Sequence, residues 1–574
     1  MAYQKFTIPR LLGLNQDENP DALATGELTR ATNAARRGSF VGTRPGVAAL
    51  ATGEDYESAI DEANPIRGAH EFRESFDEGR HLIVVADHTT GTKLFFEDGS
   101  QLPSGASDPS INPDQDYIYS MAVHANVLYG TGGPPGKSQV QTEDMWTWDG
   151  DTTNEANALT LTDKQTGAQL YPKFIIAWRN FLAINGLQQT TANRTASNNP
   201  AVTRYPTFGT DPSDDTNWTD GHTIGFNATR IGLDTYGENF STGFGTYTDD
   251  RGDFLLLLSN KQIAAVRGDT QFGNDFIVTD SIANGCVHQR AFVNLGLDVG
   301  DAVFVSDKPA VHSLRQSQSH GDTEGAFLSW KIRTFMNGLN KTRIHHTCAA
   351  YAANLGMVVL AFSTASNTSE GHDVLMCLDV RDPGSLTAGT ARWYGPWRLG
   401  GGIRVNHLAY LRSASNVPSL HLFTTAGRVL RLDESVHSDL ATNGYSVLLE
   451  TKPESFGDTL SEKRIGDTSV VIASDVGGSY GITARTIFDF GRIQSGPVNL
   501  DAPASTGSVI GSGALIGTAT IGESFSIAAR KLYTSGRGQL MQLQLQHGGT
   551  NEPFYIGRID TQVAGAGEAS ESSD

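Results

Sequence analysis

Two histidines and a cysteine fall in one short stretch, His345, His346 and Cys348. All three carry ligand atoms for zinc or a similar metal, but a site needs three or four donors converging on one point. Read as part of a strand, His345 and His346 point to opposite faces, so they are not expected to share an ion. Asp214-Asp215-Thr216-Asn217-Trp218 brings carboxylates together in a different way. Acid–base hydrolysis of a glycosidic bond would require carboxylates paired across a cleft at roughly 5 to 9.5 Å. Aspartates in such a turn more simply accept hydrogen bonds from their own backbone, with the tryptophan packed beneath. Arg251-Gly252-Asp253 and Arg267-Gly268-Asp269 each spell an adhesion tripeptide, yet both flank an apolar run, and Gly-Asp is a common turn signal. No phosphate-binding loop, zincin helix or Gly-x-Ser-x-Gly elbow occurs. The expectation is a protein without catalytic residues, metal or cofactor.

The elements around these residues are short strands. Phe254-Leu255-Leu256-Leu257-Leu258 is too short for a buried helix and runs into the turn Ser259-Asn260-Lys261. A second strand follows at 262–267, and 303–305 and 310–314 repeat the design around Ser306-Asp307-Lys308-Pro309. The same strand–turn–strand unit recurs at 81–85 with 93–96, 174–178 with 181–185, 357–362 with 374–378, and 420–423 with 428–432. Hairpin spacing without helical stripes predicts an all-β chain. Sheets must dispose of their edges, and radial repetition in a propeller does so. The expected architecture is an irregular β-propeller of about six to eight blades.

Composition narrows the class. The chain has 574 residues and 61.5 kDa, with 63 glycines and 18% charged residues, which suits a turn-rich β protein and excludes a coiled coil. Its size favours a propeller plus a further module. Cys286, Cys348 and Cys377 are odd in number and lack ligand spacing, so a disulfide framework is not expected and a reducing site of folding is. The first residues lack an apolar signal core, and no run is long enough to span a bilayer. The net charge is −20, and residues 51–120 hold 15 Asp/Glu against 4 Lys/Arg, whereas residues 1–50 hold 4 against 6. Such a face solubilises, and it also repels polyanions. Stable nucleic-acid binding, which depends on Lys/Arg contacts to phosphates, is disfavoured.

Residues 1–50 carry the most distinctive pattern. Gly13-Leu14-Asn15, a loop through Pro20 to Leu23, Gly26-Glu27, Ala31 with Asn33, and Arg44-Pro45-Gly46 form an opening that resembles that of β-propeller virion proteins of tailed bacteriophages, among them the tail-nozzle and tail-hub proteins of short-tailed phages. Physically, Thr25-Gly26 and Arg44-Pro45-Gly46 are turn chemistry, and these residues are read as anchors. Trp178, Asn180 and Trp218 fall where the resemblance places a blade hairpin and an Asp/Trp corner. The corner also resembles that of sialidase-like propellers, without the glycine such corners carry.

From Ser446 the texture changes. Strands at 446–450 and 469–473, a Gly/Ser/Ala-rich run at 502–520 and the alternation Met541-Gln542-Leu543-Gln544-Leu545-Gln546 suggest a second β module with its glutamines outward. The expected organisation is an N-terminal anchoring segment (1–50), a propeller (51–445), a C-terminal β-rich module (446–563) and a disordered tail (564–574). The resemblance implies a virion tail protein assembled in the host cytoplasm. It further implies several copies, commonly six, ringed around the DNA exit channel. Such a ring would dock on a head-to-tail adaptor, carry fibres or spikes, and let double-stranded DNA pass without specific binding. The long polar loops at 102–116 and 188–203, with Asp108, Asp114, Gln188 and Arg194, are expected to face the channel or a neighbouring subunit. The alternatives are a propeller glycosidase or sialidase acting on host glycans, and a receptor-binding tail module.

Overall fold

The computed structural model describes residues 3–565 except 20–21, 50–63, 74–79, 89–90, 97–98, 103–116, 125, 134–144, 152–153, 160, 163–168, 179–180, 186–187, 190–240, 250–251, 268–276, 283, 321–326, 383, 385, 387–389, 413–416, 476–479, 504–525 and 534–535. Pro20, Asp108, Asp114, Asn180, Arg194 and Trp218 therefore lie outside the described residues, as do Asp214-Asp215, Arg251 and Gly268-Asp269.

The chain is all-β, and its middle part is a propeller. Among the described residues seven antiparallel sheets follow one another around the ring, and a further small sheet pairs Gln169–Tyr171 with Leu161–Thr162 and Gln188–Gln189. Blade 1 is Ile66–Arg73, Arg80–His88 and Gly91–Phe95. Blade 2 is Ile118–His124, Val127–Gly133, Met145–Trp148 and Asn157–Leu159. Blade 3 is the hairpin Phe174–Trp178 with Phe181–Asn185. Ser241–Asp249, Gly252–Ser259, Ile263–Arg267 and Ile277–Ile282 make blade 4. Phe292–Asn294, Ala302–Ser306 and Ala310–Ser313 make blade 5. Blade 6 contains Cys348–Ala352, Met357–Phe362, Val374–Asp379 and Arg392–Trp397. Blade 7 contains Val405–Arg412, Pro418–Thr424 and Val429–Asp433.

The first strand of each blade packs on the first strand of the next, and that of blade 7 packs on that of blade 1, which closes the ring. Apolar residues sort accordingly. Phe72, Ile83 and Val85 of blade 1 meet Trp146 and Trp148 of blade 2. Phe174 and Trp178 of blade 3 meet Phe244, Leu255 and Leu257 of blade 4. Ile66, Leu82 and Val84 of blade 1 meet Phe423 and Val429 of blade 7. The uninterrupted apolar run Phe254–Leu258 is explained by this arrangement, since an inner blade is buried on both faces.

The N-terminal strands bind the ends of the chain together. Gly46–Ala49 adds the fourth strand to blade 7, pairing Val47 with Leu432. Leu28–Thr32 lies between Arg392–Trp397 of blade 6 and Val447–Thr451, so the blade 6 sheet runs on through Met541–His547 and Gly481–Phe488. A second C-terminal sheet joins Ala34–Arg37, Phe40–Thr43, Tyr555–Gly565, Lys463–Ser474 and Ser526–Leu532, and Gln4–Ile8 also pairs with Tyr555–Gly565. One continuous apolar core runs from Ile8 and Leu28 through blades 4 to 7 to Leu545 and Ile556. The expected outward alternation of glutamines holds only in part. Gln542 is buried and donates to the Thr451 carbonyl at 3.1 Å, because its strand lies inside the sheet rather than at a solvated face.

Candidate functional site at the propeller axis

Cationic side chains converge where the inner strands begin. Arg67 and His70 stand on the first strand of blade 1 and His407 on that of blade 7. Lys173 directly precedes blade 3, His288 and Arg290 precede blade 5, and His345 and His346 precede blade 6. Blades 1, 3, 5, 6 and 7 contribute from the same end because their inner strands run in the same sense along the axis.

Arg290 is the crosspiece. Its Nη2 donates to the Tyr119 carbonyl of blade 2 at 2.9 Å and also to the Arg67 carbonyl of blade 1. Neighbouring Gln289 reaches the Ile175 carbonyl of blade 3, while Ser120 Oγ of blade 2 donates to that carbonyl at 2.9 Å. Asn406 Nδ2 of blade 7 donates to the Ile66 carbonyl of blade 1 at 2.8 Å. His288 Nδ1 accepts from the Arg290 backbone N–H, and its ring meets Phe174 edge-on. Arg67 clasps Asp87 and Glu370 together.

Crowding of cations away from water lowers their proton affinity. Burial, reinforced by neighbouring cations, pushes His288 and His407 well below the usual imidazole range. Burial alone takes His70 to about 4 and Lys173 to about 8, and burial with the charge of Arg67 takes Arg290 to about 10. The site thus combines imidazoles held neutral at His70, His288 and His407 with the cations of Lys173 and Arg290. Its chemistry is attraction of negative charge and tying of blades.

His345 and His346 sit in the 3-10 helix Lys341–His346 rather than on a strand, because Asn340 caps that turn by accepting from the Thr342 N–H at 3.1 Å. Among the described residues no three His, Cys, Asp or Glu are placed to hold a metal. Cys286, Cys348 and Cys377 are buried thiols, and burial pushes Cys286 and Cys348 up to about 12.

The residues of the N-terminal pattern lie elsewhere, in a buried polar network. Leu14 bridges Trp393 and Leu28. Asn15 Nδ2 donates to Glu27 at 3.1 Å, and Glu27 takes Lys331 Nζ at 2.7 Å. Asn33 Oδ1 accepts from Arg44 Nε and from the Arg398 N–H, while its Nδ2 donates to the Ser446 carbonyl. Arg44 is fully buried, paired with Asp439 and stacked 3.7 Å above the Tyr445 ring. Gly26 has φ +94°, and a Cβ there would meet the Arg10 carbonyl. Gly13 and Pro45 belong to the same network through the bonds Leu28 N–H to Gly13 O and Arg44 Nη1 to Pro45 O. Trp178 is buried between blades 3 and 4. Gln188 lies in the two-residue strand Gln188–Gln189, paired with Gln169–Tyr171. Sequence reasoning singled out His345 and His346 but missed the other axial cations, Arg67, His70, Lys173, His288, Arg290 and His407. Their common signal is a basic residue at or just before the first strand of several repeats.

No family model matches the chain, and no curated protein matches it. Among solved structures, it is similar to the exo-β-1,3-galactanase of Phanerochaete chrysosporium with galactose (10% identity, 80% of this chain and 100% of that one, TM-score 0.25). It is also similar to the β-propeller domain of Cps50 (Swd1) from Myceliophteria thermophila (10% identity, 68% and 99%, TM-score 0.31) and to the N-terminal domain of Nup159 (10% identity, 70% and 98%, TM-score 0.31). At such scores the likeness carries no functional argument, and the propeller described above rests on the chain's own strand pairing and ring closure.

Proposed function

We propose that this chain is a structural subunit of a bacteriophage tail, a nozzle or hub protein that works in a ring around the DNA exit path and docks on an adaptor and on fibres. The observation that carries this reading is the use made of Gly13-Leu14-Asn15, Glu27, Asn33 and Arg44-Pro45-Gly46. The residues that give the sequence its resemblance are buried links joining blades 5, 6 and 7 to the C-terminal sheets. A body closed in this way resists deformation, which suits a part that must hold its shape under load. The net charge of −20 adds repulsion of passing phosphates. Hydrolysis of glycans would require free carboxylates facing each other. Among the described residues, the carboxylates beside Arg67, Asp87 and Glu370, are both engaged by it.

Immunogold labelling of intact virions with antibody to this chain tests the reading. Label confined to one tail vertex, followed by a ring of copies in averaged images, is expected. Label on the capsid, or absence from particles together with sugar release in a hydrolysis screen, would overturn it.

A further inference from the structure

A cleft of about 870 Å³ opens beside blades 4 and 5. Its walls are the blade 4 turn at Asn260-Lys261, the blade 5 turn at Asp307-Lys308, and the helical segments Leu328–Ile332 and Arg333–Asn337. The volume lies in the range of small-molecule sites, roughly 300 to 1,000 Å³.

The charge of the cleft is opposite to that of the protein. Among the described residues, Lys261, Lys308, Arg333 and Lys341 line it against one carboxylate, Asp307, in a chain with net charge −20. Among the described residues, Lys308, Arg333 and Lys341 have no carboxylate partner. The Arg333 guanidinium is held 4.7 Å from the Trp330 ring centroid, which orients the group and leaves its fork of N–H donors for a carboxylate. Trp330 and Phe327 supply apolar surface, while the amides of Asn260, Asn284 and Asn337 can both donate and accept. Asn284 Nδ2 is a buried donor with no hydrogen-bond partner among the described residues.

Cations for carboxylates, amides for hydroxyls and an aromatic face for the apolar side of a sugar ring form one recognition set. We propose that this cleft binds a short oligosaccharide bearing carboxylates, such as a uronic-acid oligomer. A long polyanion suits it less, because the protein as a whole carries a net charge of −20. The inference stands apart from the tail assignment, since either can hold without the other.

Calorimetric titration of the full chain with a galacturonic-acid tetrasaccharide, and separately with its neutral methyl ester, tests the proposal. The acid should bind, and the ester should bind at least about tenfold more weakly. Raising ionic strength to about 0.5 M should weaken the acid alone. The pair Lys308→Glu and Arg333→Glu should abolish binding. Lys308→Gln and Arg333→Gln, which remove exposed charge without reversing it, should weaken it while leaving the thermal midpoint in place. Absence of binding, equal binding of acid and ester, an equally strong response to a glutamate-rich peptide, or indifference to the glutamine variants would each overturn the proposal.

Discussion

Arg44 and Asp439 meet as a bidentate pair with neither side chain exposed, Nη1 to Oδ1 at 3.0 Å and Nη2 to Oδ2 at 2.5 Å. The same carboxylate accepts from the Gly400 N–H at 2.6 Å, so it joins the N-terminal segment to the turn after blade 6. Removing one partner strands a buried charge, and Asp439→Asn should cost about 3 to 5 kcal/mol. Replacing both residues with apolar ones of similar volume should cost less. Urea unfolding midpoints of the single and double variants check the order.

Lys331 and Glu27 pose a similar case nearer the surface of the N-terminal loop. The 2.7 Å contact links the segment after blade 5 to the Asn15–Glu27 turn. Lys331→Met should destabilise by about 3 kcal/mol, with a favourable coupling to Glu27→Gln in a double-mutant cycle. Protease cleavage within residues 16–24 should accelerate in the single variants. Unchanged cleavage would refute the linking role.

Gly46 begins the strand that completes blade 7. A Cβ on it would stand 2.2 Å from the Ser438 carbonyl oxygen, a backbone atom that cannot rotate away. Gly46→Ala should therefore cost about 1 to 3 kcal/mol or more through overpacking. Hydrogen exchange should rise first across Val429–Asp433, its partner strand.

Acid should weaken the fold in part through buried histidines. Burial holds His70 and His421 at about 4, below the unfolded value of 6.5. The unfolded chain binds those protons first, so the stabilisation is complete above pH 6.5 and is lost as the pH falls towards 4. Each ring should contribute a slope of up to ~1.4 kcal/mol per pH unit in that window. His421→Phe should flatten the pH dependence of the unfolding free energy by one proton's worth, and an unaltered slope would contradict the assignment.

The hairpins could be read from sequence because each apolar run is bounded by its own turn, as Phe254–Leu258 is by Ser259-Asn260-Lys261. Both members of such a pair lie in one window of sequence. Closure of the ring could not be read this way, because Val47 pairs with Leu432 across most of the chain. The axial cations escaped for the same reason, as His70, Lys173, His288 and His407 are separated by a blade or more. Gln542 looked solvated because alternation reports the two faces of a strand and not whether both are covered. The N-terminal pattern identified anchors by turn chemistry, but nothing in it named Lys331 or Asp439 as their partners.

Pairing between the two ends of the chain also bears on synthesis. Thr7 donates to Asp560 at 2.7 Å across 553 residues of sequence. At translation rates of about 5 to 20 residues per second, the first strand waits roughly half a minute to two minutes for its partner to leave the ribosome. Throughout that interval the edges of Gln4–Ile8 and Phe40–Thr43 are open to any other strand nearby, including the same segment of a nascent chain on an adjacent ribosome. The polysome, rather than the folded protein, is where this architecture is most exposed to error.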